Sequence, residues 1–133
     1  MAEGLTALES TFGPQETADR LVAEVIALGM TIFARMDHAA GAAAVGMTLS
    51  PTEVVVFGNA KAGTPLMQAQ ETIGIDLPLK ALVYQDTAGK TWLAYNDPAW
   101  MARRHDLPAA VATNVSVMTA ALEAIAARAT GRG

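Results

Sequence analysis

Two segments of the chain repeat apolar residues at the spacing of an amphipathic α-helix. The first begins at Pro14, a residue suited to the first helical position, and Gly29 offers a C-terminal cap. The second is predicted over residues 108–129 and presents one long apolar stripe that needs a partner surface. The repeating residues are Ala18, Leu21, Val22, Val25 and Leu28 in the first helix, and Val111, Val115, Met118, Leu122 and Ile125 in the second.

Shorter apolar runs between these helices predict strands. Residues 5–11 and 30–37 are candidates, and Ile32, Ala34 and Met36 share one face of the second. Residues 54–57 are apolar on both faces, which favours a strand covered on one side by the core and on the other by a second layer or subunit. Residues 81–85 and 91–95 flank a turn-rich segment and are expected to pair as an antiparallel hairpin. Residues 39–46 are expected to form a short helical or irregular connection.

The segment 51–67 carries the most distinctive local pattern. An apolar run gives way to a loop between Gly58 and Gly63, and Thr64 is predicted to cap a helix with Pro65 at its first position. Free amides at that helix start, together with Lys61, could attract a carboxylate or phosphate. The simpler alternative is a glycine turn with a helix cap. A nucleotide-triphosphate loop is excluded, because Thr64 stands where that motif requires lysine.

Composition narrows the class of protein. The 133 residues fit a single domain, 1–133, and a hydrophobic share of 52% with only 17% charged residues favours a homodimer. A net charge of −4 without a basic stripe argues against nucleic-acid binding. The longest apolar run, residues 39–47, is too short to span a membrane, and the acidic N-terminal segment does not resemble a signal peptide. We therefore expect an unprocessed, cytoplasmic protein with no membrane partner.

Few residues suggest catalysis. The absence of cysteine excludes disulfides and thiolate chemistry, and two isolated histidines predict neither a metal site nor a cofactor. His38 follows an alternating apolar strand, so it is either a hydrogen-bonded core residue or a general acid or base. His105 is expected at a solvated helix end. Asn96 and Asp97 end a strand and open a helix, so they are a turn and a cap or part of a ligand site.

Three blocks, PTEVVVFGNAKAGTPLMQ (51–68), DLPLKALVYQD (76–86) and YNDPAWMARRH (95–105), resemble the family known as domain of unknown function 302, and MDHAAGAAAVGM (36–47) fits as a fourth. The resemblance covers about residues 15–105. It implies a β-α-β4-α fold of the TBP-like class: a curved antiparallel sheet with helices packed on one face, assembled as a dimer. This agrees with the α+β order of elements and implies no particular reaction.

Three functions stay open from the sequence. The first is a homodimeric binding module for a small, possibly anionic ligand, held between the glycine loop, His38 and the strand end at Asn96 and Asp97. The second is an enzyme in which His38 acts as general acid or base and Lys61 holds substrate charge. The third is an accessory interaction subunit without a small-molecule site. The candidate ligand-binding residues are Gly58, Asn59, Lys61, Gly63, Thr64, Asn96 and Asp97.

Overall fold

Five antiparallel strands form one open sheet in the computed structural model, which describes residues 2–133. The spatial order is β1-β5-β4-β3-β2, so the first two strands in the chain lie at the two edges. The predicted hairpin is confirmed, because β4 and β5 pair antiparallel. The strands are β1 Leu5–Glu9, β2 Thr31–Asp37, β3 Thr52–Gly58, β4 Leu79–Gln85 and β5 Thr91–Asn96.

Five α-helices connect and cover these strands. The predicted β-α-β4-α order is confirmed by the sequence β1, α1, four further strands and the C-terminal α5, with three shorter helices inserted. They are α1 Pro14–Ala27, α2 His38–Ala44, α3 Ala60–Ala69, α4 Pro98–Arg104 and α5 Ala112–Ala129; single 3-10 turns cover Glu71–Ile75 and Ala109–Val111.

The core lies between one face of the sheet and the two long helices. Along β3, Val55 and Phe57 are completely buried, as the period of two in a strand requires of one face. The predicted helical stripes supply the opposite wall, because Leu21 of α1 and Leu122 and Ile125 of α5 belong to the same buried cluster as these strand residues. Both helices therefore fold by burying one apolar stripe.

The start of α3 corrects one sequence prediction. Asn59, not Thr64, is the N-cap, because its side-chain oxygen accepts a hydrogen bond from the Ala62 amide at 2.6 Å. The helix thus begins at Ala60, and Pro65 lies inside it. The side chain and carbonyl of Asn59 accept hydrogen bonds from amides of the first turn, and the helix runs for about 1.4 turns before the proline.

Two other expectations change with the structure. Val54 and Val56 are only partly buried, so within residues 2–133 no second layer covers that face of β3, and coverage by a second subunit stays a prediction. We also expected no segment long and apolar enough to cross a membrane. That expectation is wrong, because Ala109–Ala129 meets the criteria of length and composition. In this fold the same helix buries Met118 and Leu122 in the core.

Candidate functional site

A cavity of about 700 Å³ opens on the helical side of the sheet. Its walls come from the first turns of α3, the N-terminal half of α5, the link between α1 and β2, and the start of β4. None of the described residues that line it is charged. The apolar lining residues are Leu28, Met30, Phe33, Gly58, Ala60, Ala62, Gly63, Met67, Leu77, Pro78, Leu79, Val117, Met118 and Ala121, and the polar ones are Asn59, Thr113 and Asn114.

A β-bulge turns one aromatic side chain toward this cavity. Ile32 pairs with Phe57 and Ala34 pairs with Val56, so two residues of β3 face three of β2 and Phe33 is the extra residue. A bulge redirects the side chain at which the strand register shifts. Phe33 therefore contributes to the cavity lining although it belongs to an edge strand.

The mouth of the cavity carries large apolar side chains in contact with solvent. Leu28 is 46% exposed, Phe33 55% and Val117 64%, and all three line the cavity. They come from three separate elements, which explains why no continuous sequence pattern predicted the site. Exposed apolar residues that converge on one concavity are typical of a binding surface.

Backbone conformation fixes the cavity edge formed by the glycine loop. Gly58 ends β3 with a φ of 154°, a value that side chains disfavour. Asn59 then accepts the amide hydrogens of Ala62 through its side chain and of Gly63 through its carbonyl. A Cβ placed on Gly63 would lie 3.7 Å from Leu77, so this glycine leaves space inside the cavity.

The structure brings together only part of the predicted ligand site. Gly58, Asn59 and Gly63 line the cavity. Lys61 and Thr64 are exposed on α3 and do not belong to the lining. A ligand inside the cavity would therefore meet the glycine loop without its lysine.

His38 lies at the other end of the sheet from the glycine loop. Thr31 at the start of β2 pairs with Gly58, whereas Asp37 at its end pairs with Glu53. His38 follows Asp37 directly and is exposed, so the apolar environment expected for it is absent. The structure thus separates His38 from Lys61, and the proposed acid/base and charge-holding pair does not share one site within the chain.

Asn96 ends β5 and Asp97 follows it, and neither residue lines the cavity. Asp97 caps α4, because its carboxylate accepts the Ala99 amide at 3.0 Å, which confirms the capping interpretation. Asp97 also lines a smaller groove with Tyr95 and Glu123. Burial raises the pKa of Tyr95, and the charges of Glu123 and Asp97 raise it further.

A polar cluster around His105 was missed in the sequence. His105 is only 8% exposed, where a solvated helix end was expected. Its Nε2 contacts the Asp76 carboxylate at 2.5 Å, its Nδ1 lies 2.9 Å from the Thr72 hydroxyl, and Arg104 donates to Asp76 at 2.8 Å. Burial pushes the pKa of Asp76 upward, but the hydrogen bond from His105 and the charge of Arg104 outweigh it, so the pKa is lowered.

This cluster fixes one wall of the cavity. Asp76 directly precedes Leu77 and Pro78, which line the cavity, and its carboxylate ties that segment to α4. Arg104 and His105 are 28 and 29 residues from Asp76 in the chain, so no local sequence pattern predicts these contacts. Across residues 2–133, no three His, Cys, Asp or Glu side chains form a group that could hold a metal ion.

Three curated proteins are similar in sequence to most of this chain. The chain is 50% identical over 104 residues to "Fluoride-specific ion channel FluC 1" of Brucella suis biovar 1 and of Brucella abortus biovar 1, and to "Fluoride-specific ion channel FluC 2" of Brucella melitensis biotype 1. These matches cover 78% of this chain but only 41%, 38% and 38% of the relatives. The chain thus spans about two-fifths of the length of the curated relatives it matches.

One solved structure and one family match almost the whole chain. The crystal structure of an uncharacterized conserved DUF302 protein from Bacillus stearothermophilus superposes with a TM-score of 0.84 at 19% identity, covering 96% of this chain and 99% of that one. The profile of the family described as "Domain of unknown function DUF302" matches residues 6–125. The chain belongs to the DUF302 family.

Proposed function

We propose that this domain binds a small, predominantly apolar and uncharged molecule in the cavity between α3 and α5. One observation carries the proposal: a concave space of about 700 Å³ has an uncharged lining and an exposed apolar mouth. That volume lies within the range of roughly 300–1,000 Å³ that small-molecule sites occupy.

Apolar burial by itself supports only weak binding. Burial of apolar surface is worth about 25 cal/mol per Å², so a ligand that buries about 300 Å² gains about 7.5 kcal/mol before the costs of association. Micromolar binding requires about 8 kcal/mol. Micromolar affinity therefore needs polar contacts as well, and Thr113 and Asn114 can orient one polar group of the ligand.

This proposal departs from the anionic ligand expected from the sequence. Lys61 lies outside the lining, so a buried carboxylate or phosphate would meet no fixed positive charge there. A neutral ligand avoids that desolvation cost. Removing Lys61 should accordingly leave its binding unchanged.

The experiment uses a neutral fluorescent probe, N-phenyl-1-naphthylamine, with medium-chain alcohols as competitors. We expect saturable fluorescence enhancement, displacement by the alcohols, and a higher melting temperature, because a ligand that binds only the folded state stabilises it. Gly63→Leu should abolish binding, since the new side chain occupies the space beside Leu77. Lys61→Ala should bind like the wild type.

Gly41→Leu is the matched control, because Gly41 also lies within a helix and has open space around its Cβ position. Both substitutions replace a helical glycine with a better helix former, so neither should unfold its helix. Retention of binding by Gly63→Leu, or equal loss in both variants, would reject the cavity as the site. Absence of any probe or alcohol effect on the wild type would reject the function itself.

We propose a second candidate, an accessory role beside an ion channel, on the basis of the FluC relatives. Their names describe proteins more than twice as long as the matched segment. In lipid, exposed sheet edges are not tolerated, and this segment folds as an open sheet with edge strands β1 and β2. Conduction would then belong to the unmatched three-fifths, and the DUF302 segment would be an appended module.

Deletion of the matched segment from the Brucella suis channel tests this role. In reconstituted vesicles, the shortened channel should still release fluoride, whereas any response of efflux to an apolar ligand should disappear. Loss of conduction in a shortened channel that inserts normally would instead make the segment part of the conducting structure.

A further inference from the structure

The sheet face opposite the helices carries an apolar row that crosses all five strands. Ala7, Ala94, Leu82, Val54 and Met36 are successive Cα partners from β1 to β2. Each strand therefore contributes one apolar side chain at the same height. We call this row, with the neighbouring residues of the same face, the outer face.

The outer face is distinct from the core and from the cavity. Residues that alternate with the row, such as Val55 and Val83, are buried against the helices. In the row itself, Ala94 is buried, Ala7, Val54 and Leu82 are only partly buried, and Met36 is exposed. Aromatic and aliphatic neighbours extend the apolar area on both sides of the row: Trp92 and Tyr84 on one side, Val56 and Ala34 on the other.

A second apolar surface projects from one end of the sheet. Residues 38–51, here called the arm, link β2 to β3 and include α2, which has no buried residue. Val45, Met47 and Leu49 in the arm are all exposed. An isolated helix of seven residues is marginally stable in water, so this helix gains from a surface that covers it.

We propose that a second copy of this chain covers both surfaces, with the two outer faces packed against each other and each arm contributing to the interface. The row suits an isologous contact, because a two-fold axis sets the same patch of two copies together. Its members are uncharged and small or flexible, which permits sheet-on-sheet packing at about 10 Å.

The area of the interface requires both surfaces. Five strands about 4.8 Å apart and about five residues long give a face of roughly 400 Å² in projection. A standard stable interface buries about 800 Å² per partner. The outer face therefore supplies about half of the requirement, and the arm has to supply much of the rest. Lys80 and Glu9 flank the row with opposite charges, so the surface lacks the basic excess that favours anionic lipid.

Sedimentation equilibrium of the full chain tests the proposal. The wild type should have twice the 13.8 kDa mass of one chain across a wide concentration range. Met36→Glu, on an exposed edge-strand position, should shift the dimer–monomer equilibrium by at least about tenfold, the factor that corresponds to 1.4 kcal/mol. Leu82→Glu, at the centre of the row, should give a monomer. Val45→Asp in the arm should also weaken the dimer.

Ile75→Glu is the matched control, because Ile75 is a large exposed apolar residue in the 3-10 turn, away from the outer face. This variant should remain dimeric. Circular dichroism shows which variants remain folded, and Met36→Glu decides the question if Leu82→Glu unfolds. A monomeric wild type would overturn the proposal, as would a dimer that Met36→Glu does not weaken. So would a monomer that sediments with phosphatidylcholine–phosphatidylserine vesicles.

Discussion

Truncation of Leu122 tests whether α5 is an integral part of the core. Leu122 is 2% exposed and belongs to the same buried cluster as Leu21 and Val25 of α1. Leu122→Ala removes the equivalent of three methylene groups, worth about 2.4 kcal/mol at about 0.8 kcal/mol each. The cavity left behind adds to this loss, so the total should fall between about 2.7 and 5 kcal/mol.

Urea unfolding followed by circular dichroism measures the loss as a lower midpoint at an unchanged slope. Val117→Ala is the control on the same helix, because Val117 is 64% exposed and alanine is the better helix former. Its effect should stay within about 0.5 kcal/mol. A loss below about 1 kcal/mol for Leu122→Ala would show that α5 is an appendage, and the packing described above would be refuted.

Three further predictions concern the loops and the polar cluster. Asn59→Ala should destabilise the protein by about 1 kcal/mol in the same urea assay, because it removes the cap of α3. Since the pKa of Asp76 is lowered, its contribution to stability is present above the ordinary carboxyl pKa of 3.8 and is lost as the pH falls through the lower folded value. Asp76→Asn should therefore reduce stability at neutral pH and flatten its decline in acid, as followed by melting temperature against pH. Gly4→Ala should cost more than about 1 kcal/mol in urea unfolding, because Gly4 has a φ of 76° and an added Cβ would overlap the Trp100 ring.

Elements that depend on local pattern could be predicted from the sequence. The helical stripe of α1 and the turn between β4 and β5 are encoded by neighbouring residues, and both were placed within a few positions. The start of α3 was not, because Asn59 and Thr64 are both good caps and Pro65 suits a first helical position. The earlier cap forms because Asn59 bonds two amides of the following turn.

The candidate site depends on contacts between distant segments. Leu28, Phe33 and Val117 meet at the cavity mouth although they are separated by up to 89 positions, and only the fold brings them together. Phe33 also depends on a bulge, which a regular alternation of strand residues conceals. His105 could not be predicted for the same reason. Its charged sequence neighbours suggest an exposed position, whereas its burial depends on Asp76, 29 residues away.

Hydrophobic residues make up 52% of the chain, and in this structure they form the core, the cavity lining and the outer face. The last two lie on opposite sides of one sheet, so the proposed ligand site and the proposed dimer contact share no residue. Substitutions at independent sites add in their effects. Gly63→Leu should then leave the molecular mass unchanged, and Met36→Glu should leave probe affinity unchanged. If either variant altered both properties, the sheet would couple the two surfaces, and ligand binding would regulate assembly.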